Sequence, residues 1–304
     1  MPTILNYWFT TYTMEKLYET LAKAAIEDFE SFFVPSSNFV IAFKVANIHS
    51  PAKVVGNSEG STVILSHYML QERVQSVDDA MFFLIIIGHE LAHYVNKHLA
   101  HTDESKIDSV AIEGWADFFG ARIMFTLITY GNQTQKIIDE LIAVPFISPA
   151  STSERQDLIL RAYGRALRRA YESLYRPSDG SSKYPRSEIR VGTYTAGVSS
   201  FFYRLFGSIS ENWTFYVYRR LLFLTRLIEI YDEGTTIEPD SFFERTREIH
   251  VNLKGTNNVF ISSGLKQKYW NLIGTDYIDE PRHREWVKEK LKKEFDEWDF
   301  KIGF

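Results

Sequence analysis

Between Phe82 and Arg122 the chain reads FFLIIIGHELAHYVNKHLAHTDESKIDSVAIEGWADFFGAR. Three isoleucines run directly into Gly88, His89 and Glu90, then Leu91, Ala92 and His93. A His–Glu pair set into so apolar a segment is costly to bury unless something pairs it. On an α-helix, positions i and i+4 lie nearly above one another, so His89 and His93 present both imidazoles from one face. Nineteen residues separate His93 from Glu113, with Asp117 one helical turn further on. That interval is long enough to finish one helix, turn and return on a second.

The spacing points to a zinc ion held by two helices. His89 and His93 supply two ligands and Glu113 the third, leaving a position open for water, as a catalytic zinc requires. Glu90 sits beside the first ligand. A carboxylate there takes the proton from zinc-bound water as it attacks a carbonyl carbon, then passes it to the leaving amine. Asp117 is placed to accept the free ring N–H of a ligand histidine and so fix its orientation. His98 and His101 fall at the end of the first helix, where a histidine meets the helix dipole favourably, and are expected to do no more. His49, His67, His250 and His283 have no visible constellation and read as ordinary.

Composition narrows the chemistry. The chain has no cysteine, so a zinc site here must be built from histidine and carboxylate. Its net charge of −5 gives no electrostatic case for nucleic acid, and none is expected as a partner. No apolar run approaches the ~20 residues that span a bilayer, and the N-terminal stretch lacks a basic region ahead of Glu15, so a cytoplasmic protein without a secretory signal is expected.

Hydrophobic periodicity predicts a helix over 13–33, a strand over 38–46, a Pro/Gly/Ser/Asn loop over 50–61 and a short strand over 62–65. Ser76 to Asp79 offers cap residues for the helix carrying His89 and His93, which is expected to run to about 100. Further helices are expected over 108–128, 153–175, 187–205, 212–231 and 284–298, with a loop over 177–185. The fold class is therefore α+β and mostly helical: a zincin-like core with a small N-terminal sheet over 1–130, then a helical region over 131–304 that completes the cleft. Arg161, Arg165, Arg168 and Arg169 give the 153–175 helix a basic face, expected to be solvated or paired with acids.

The pattern H-E-x-x-H followed by E-x-x-x-D resembles the gluzincin branch of zinc peptidases. It is most similar to the catalytic core of the CAAX prenyl protease and heat-shock membrane metallopeptidase family. That family reads H-E-x-x-H-x-x-x-x-H, then E-x-x-A-D, then a downstream H-P-x-x-x-x-R. Here His98 stands at the fourth place, Glu113-Gly114-Trp115-Ala116-Asp117 matches the second element, and Tyr184-Pro185 with Arg190 matches the third except that tyrosine replaces histidine. The resemblance covers roughly 38–130 and 182–192 and lacks the family's membrane spans. It implies a zinc metalloendopeptidase acting on a protein or peptide, with Arg190 and Tyr184 donating to the developing oxyanion. It also implies an edge strand near Thr62–Leu65 on which an extended peptide can pair. A looser resemblance links the chain to the soluble phage-exclusion protease Lit. The alternative expectation is a non-catalytic zinc-containing protein that binds a partner through its helical C-terminal half.

Overall fold

The computed structural model describes residues 18–57, 60–105, 107–143, 152–206, 216–232, 240–255 and 264–273. The architecture is mostly helical with a small N-terminal mixed sheet. In chain order come α1 (Tyr18–Ser31), β1 (Phe43–Ala46), β2 (Ala52–Asn57), β3 (Gly60–Ser66), the short α2 (His67–Leu70), α3 (Val77–Asn96), α4 (Asp108–Tyr130), α5 (Asn132–Ala143), α6 (Thr152–Ala170), α7 (Ser187–Phe206), α8 (Ile228–Asp232), α9 (Asp240–Gly255) and α10 (Gln267–Ile273). The expected helix over 284–298 and the first part of the one over 13–33 lie outside the described residues.

The sheet departs from the sequence reading in three ways. Its order is β1-β3-β2, with β1 parallel and β2 antiparallel to β3. Ala52 to Asn57, expected as loop, is therefore a strand, because Val54 and Val55 favour extended backbone more than the flanking Pro51 and Gly56 oppose it. Thr62 to Leu65 belongs to the central strand, so the edges beside it are β1 and β2, beyond which no further strand lies among the described residues. The expected strand over 38–46 shortens to Phe43–Ala46. Phe39 instead stacks on Phe33 at 3.7 Å, and the Ile41 amide donates to Glu30 at 2.7 Å, which ties this stretch back onto α1.

At the centre are α3, α4 and α7. Both α3 and α4 are apolar around nearly their whole circumference, which marks them as interior helices. They approach closely because two glycines face one another. A β-carbon on Gly88 would stand 2.6 Å from the Gly120 carbonyl oxygen, and one on Gly120 would stand 2.8 Å from the His89 amide nitrogen. On the other side of α4, a β-carbon on Gly197 of α7 would stand 2.3 Å from the Phe118 carbonyl oxygen. Main chain meets main chain at both contacts. Around them lies one cluster of buried side chains extending from Tyr18 in α1 to Ile273 in α10.

Serine 76 caps α3, its hydroxyl accepting from the Asp79 amide at 3.2 Å. The helix stops at Asn96, earlier than expected, because Lys97 takes a left-handed conformation with φ of 51°. A 3-10 turn, His98–Ala100, follows. The basic face of α6 is paired: Arg165 grips Asp78 with two bonds of 2.5 and 2.7 Å, Arg169 meets Asp79 at 3.0 Å, Arg161 meets Asp157, and Arg168 meets Glu172 at 3.2 Å. After α6 the helix widens into a π turn, Tyr171–Tyr175. The helix expected over 212–231 is interrupted after a second π turn, Arg219–Phe223, and resumes as α8 beyond Arg226, whose φ is 60°. No helix among the described residues is long and apolar enough to cross a membrane.

Candidate metal centre

The glycine contact sets α3 and α4 at a spacing that lets short side chains meet. His89 and His93 face Glu113 across the gap. The two Nε2 atoms are 3.0 Å apart, and Glu113 Oε2 lies 3.2 Å from that of His89 and 3.6 Å from that of His93. These three side chains form a group able to hold a metal ion. A tetrahedral zinc with bonds of ~2.0–2.1 Å keeps its ligand atoms ~3.3 Å apart, and the three separations bracket that value. Glu113 Oε2 is buried and makes no hydrogen bond of ordinary geometry within the protein. An acceptor left that way is a natural ligand for a cation. The residues present thus fit the zinc that the sequence implies.

Asp117 lies one turn beyond Glu113 on α4 and is fully buried. Its Oδ1 stands 2.8 Å from His89 Nδ1. Arg190, from the first turn of α7, grips the same carboxylate with both Nε and a terminal nitrogen at 2.7 Å. Burial opposes charge on Asp117, but Arg190 and His89 hold its carboxyl below the usual range. Burial likewise opposes charge on His89, and the Asp117 and Glu113 carboxylates overcome it, raising the imidazole to about 10.

Glu90 points from α3 into a cavity of about 210 Å³ that it shares with His89, Ile86, Tyr175, Tyr184, Arg190 and Tyr194. Burial pushes its carboxyl above the ordinary value, which moves a carboxylate toward the range useful for proton transfer near neutrality. The π turn brings both Leu174 and Tyr175 to the cavity wall, and the Tyr175 ring lies 4.0 Å from the Arg190 guanidinium. Tyr184 is held in place by the closure of its loop, where Asp179 accepts from the Ser187 amide at 2.8 Å and its hydroxyl at 2.6 Å. Arg190 also lies 5.2 Å from the Tyr184 ring. At the opposite rim, Ser50, Pro51 and Ala52 bring the start of β2 to the cavity.

Comparison with protein-family models, with curated proteins and with solved structures finds no match for this chain. The site therefore stands on its own geometry: His89, His93 and Glu113 are brought together with Glu90 beside them, an arrangement consistent with a gluzincin-type zinc motif in a helical fold.

Three residues near the centre make contacts that the sequence did not reveal. Lys183 places Nζ 3.6 Å from the other Glu113 oxygen, Oε1. His98, expected to do no more than meet the helix dipole, is instead buried and directed back at His93, with the two Nδ1 atoms 2.8 Å apart. His250, read as ordinary, lies 3.0 Å from His98 across their Nε2 atoms. Nothing local marks His250, since it reaches the site from α9, 152 positions from His98. His101, by contrast, meets Asp108 at 2.8 Å at the start of α4. Although His101, Asp103 and Asp108 also cluster, Asp108 is already engaged by Arg245 through both oxygens at 2.8 Å and by the Glu104 amide at 2.8 Å. That group is a helix-start anchor.

Proposed function

We propose that this protein is a zinc-dependent endopeptidase, with His89, His93 and Glu113 as the metal ligands. The observation that carries the reading is the placement of the Glu90 carboxylate in a cavity lined also by the ligand His89. When bound, zinc supplies a Lewis acid that acidifies water and polarises a carbonyl. Glu90 then accepts the proton of the attacking water and returns it to the leaving amine, a role its raised pKa suits. Asp117 orients His89, and Arg190 holds Asp117. Tyr184 and Arg190 line the cavity, and in this reading they are the donors to the negative charge that develops on the carbonyl oxygen.

The substrate is a protein or peptide in extended form. The free edge of β2 begins at the cavity rim with Ala52, so a chain added alongside it is led to the metal ligands. In this reading residues 131–304 complete the cleft, through Leu174, Tyr175, Tyr184, Arg190 and Tyr194. The non-catalytic alternative leaves the buried Glu90 without a task.

The test is Glu90→Gln, which keeps size and hydrogen bonding while removing the base. Zinc content is expected to hold while cleavage is lost, so that cleavage products in cells appear with wild type alone. Full activity in the variant, or identical peptide inventories, would overturn the proposal.

A further inference from the structure

Beyond the ligands a line of three imidazoles leads away from the metal centre. His93 Nδ1 meets His98 Nδ1 at 2.8 Å, His98 Nε2 meets His250 Nε2 at 3.0 Å, and His250 Nδ1 meets the Thr246 carbonyl oxygen at 2.7 Å. His98 and His250 are both buried, 3% and 4% exposed, so each N···N contact must be met within the protein by one donor and one acceptor. A carbonyl only accepts. His250 therefore carries its proton on Nδ1 and offers a lone pair at Nε2. A neutral His98 must then carry its proton on Nε2 and accept at Nδ1. His93 in turn must carry its proton on Nδ1, which leaves the Nε2 lone pair facing His89 and Glu113.

We propose that the Thr246 carbonyl, acting through His250 and His98, fixes the tautomer of His93 so that its Nε2 is free to bind metal. This rests on the metal-ligand reading of His93 given above. His98 and His250 are then positioning residues, and α9 is a working part of the centre although it contributes no ligand. Two independent features hold α9 for that task. Arg245 anchors it to Asp108 at the start of α4. The His250 ring packs on Trp115, two residues past Glu113, with centroids 4.6 Å apart. The break at Lys97 is needed as well. In a continuous helix, position 98 would lie about 140° around the axis from position 93, and the left-handed turn brings it back. Burial supports a neutral His250, holding its imidazole down at about 4.

The experiment compares wild type with His250→Phe, which keeps a ring and removes the acceptor, and His250→Gln, which restores an acceptor. Two quantities are measured: the ring-proton position of His93 by two-bond ¹⁵N–¹H correlation in the zinc-free protein, and zinc affinity by competition with a chromophoric chelator. Wild type is expected to hold the His93 proton on Nδ1. His250→Phe is expected to release it to both nitrogens and to weaken zinc binding about 10- to 100-fold, the usual effect of losing such a support. His250→Gln is expected to recover most of both. A His250→Phe variant that folds, keeps the Nδ1 proton and binds zinc as wild type does would overturn the proposal. If that variant does not fold, the wild-type spectrum decides, since a His93 proton on Nε2 overturns it equally. A wild type that shows all three ring protons as assigned but takes up no zinc would support the imidazole chain while removing the peptidase reading.

Discussion

Arg190 and His89 never touch, yet they meet through Asp117. Arg190 grips both carboxylate oxygens at 2.7 Å, and one of them stands 2.8 Å from the His89 ring. The arginine that motif spacing suggests as an oxyanion donor is thus first the partner of the residue that orients a ligand.

Removing that partner should act on metal and fold together. Arg190→Met leaves the buried Asp117 without its two-bonded partner, and losing one member of a buried pair costs about 3–5 kcal/mol. Zinc affinity should fall about 10- to 100-fold as His89 loses its oriented partner. Arg190→Lys should recover only part of either, since an ammonium does not grip a carboxylate through two parallel bonds. Denaturant unfolding and chelator competition measure both, and unchanged zinc affinity in Arg190→Met would show that Asp117 needs no such support.

The close approach of α3 and α4 should be intolerant of a single methyl. Gly120→Ala places a β-carbon 2.8 Å from the His89 amide nitrogen. Overpacking of this kind costs about 1–3 kcal/mol, and the shift falls on the ligand itself, so zinc affinity should drop as well. Gly60→Ala is the control, because a β-carbon there meets nothing within 4 Å. Thermal unfolding with and without zinc separates the two effects.

Zinc uptake should release a proton. The metal-free His89 has its pKa raised to about 10 by Asp117 and Glu113 against the opposing effect of burial, so at pH 7 the ring is charged and must deprotonate to bind metal. Zinc affinity should therefore climb by roughly tenfold per pH unit above neutrality and level off as the ring's own titration is passed. The sign for the metal-free fold is opposite: a raised imidazole pKa stabilises fully below the unfolded value, and that contribution is lost as pH rises through about 10. Titration calorimetry in two buffers of different ionisation enthalpy should count about one proton per zinc from this ring; a count of zero removes the charged His89.

Acid should loosen the anchor of α9. Hydrogen bonds from Arg245, outweighing the cost of burial, hold the Asp108 carboxyl far below its ordinary range. A depressed carboxylate pKa contributes stability above the unfolded value that is lost as pH falls through the folded one. Asp108→Asn should cost about 3 kcal/mol at neutral pH, and its deficit against wild type should shrink in strong acid. A deficit independent of pH would assign the loss to packing.

The periodicity of the chain exposed most of its helices, and the pair HELAH and EGWAD exposed the centre, because both are local patterns imposed by helix geometry. The strand at Ala52–Asn57 was hidden by Pro51, Gly56 and Asn57, which signal a turn locally but are outweighed by pairing with β3. His98 was misjudged because its direction depends on one backbone angle at Lys97. His250 was invisible for a different reason: its place beside His98 is a product of tertiary packing across the whole core, and no spacing rule spans such a distance.

The contact between Gly88 and Gly120 has a consequence for how such a protein can diversify. Ligand spacing there is gauged by two backbones in contact, whereas Ser50, Pro51, Ala52, Leu174 and Ser178 line the cavity from other elements. The lining on those elements and the spacing of the three clustered side chains are consequently separable. That part of the lining can be recut while the two helices keep the distances among His89, His93 and Glu113.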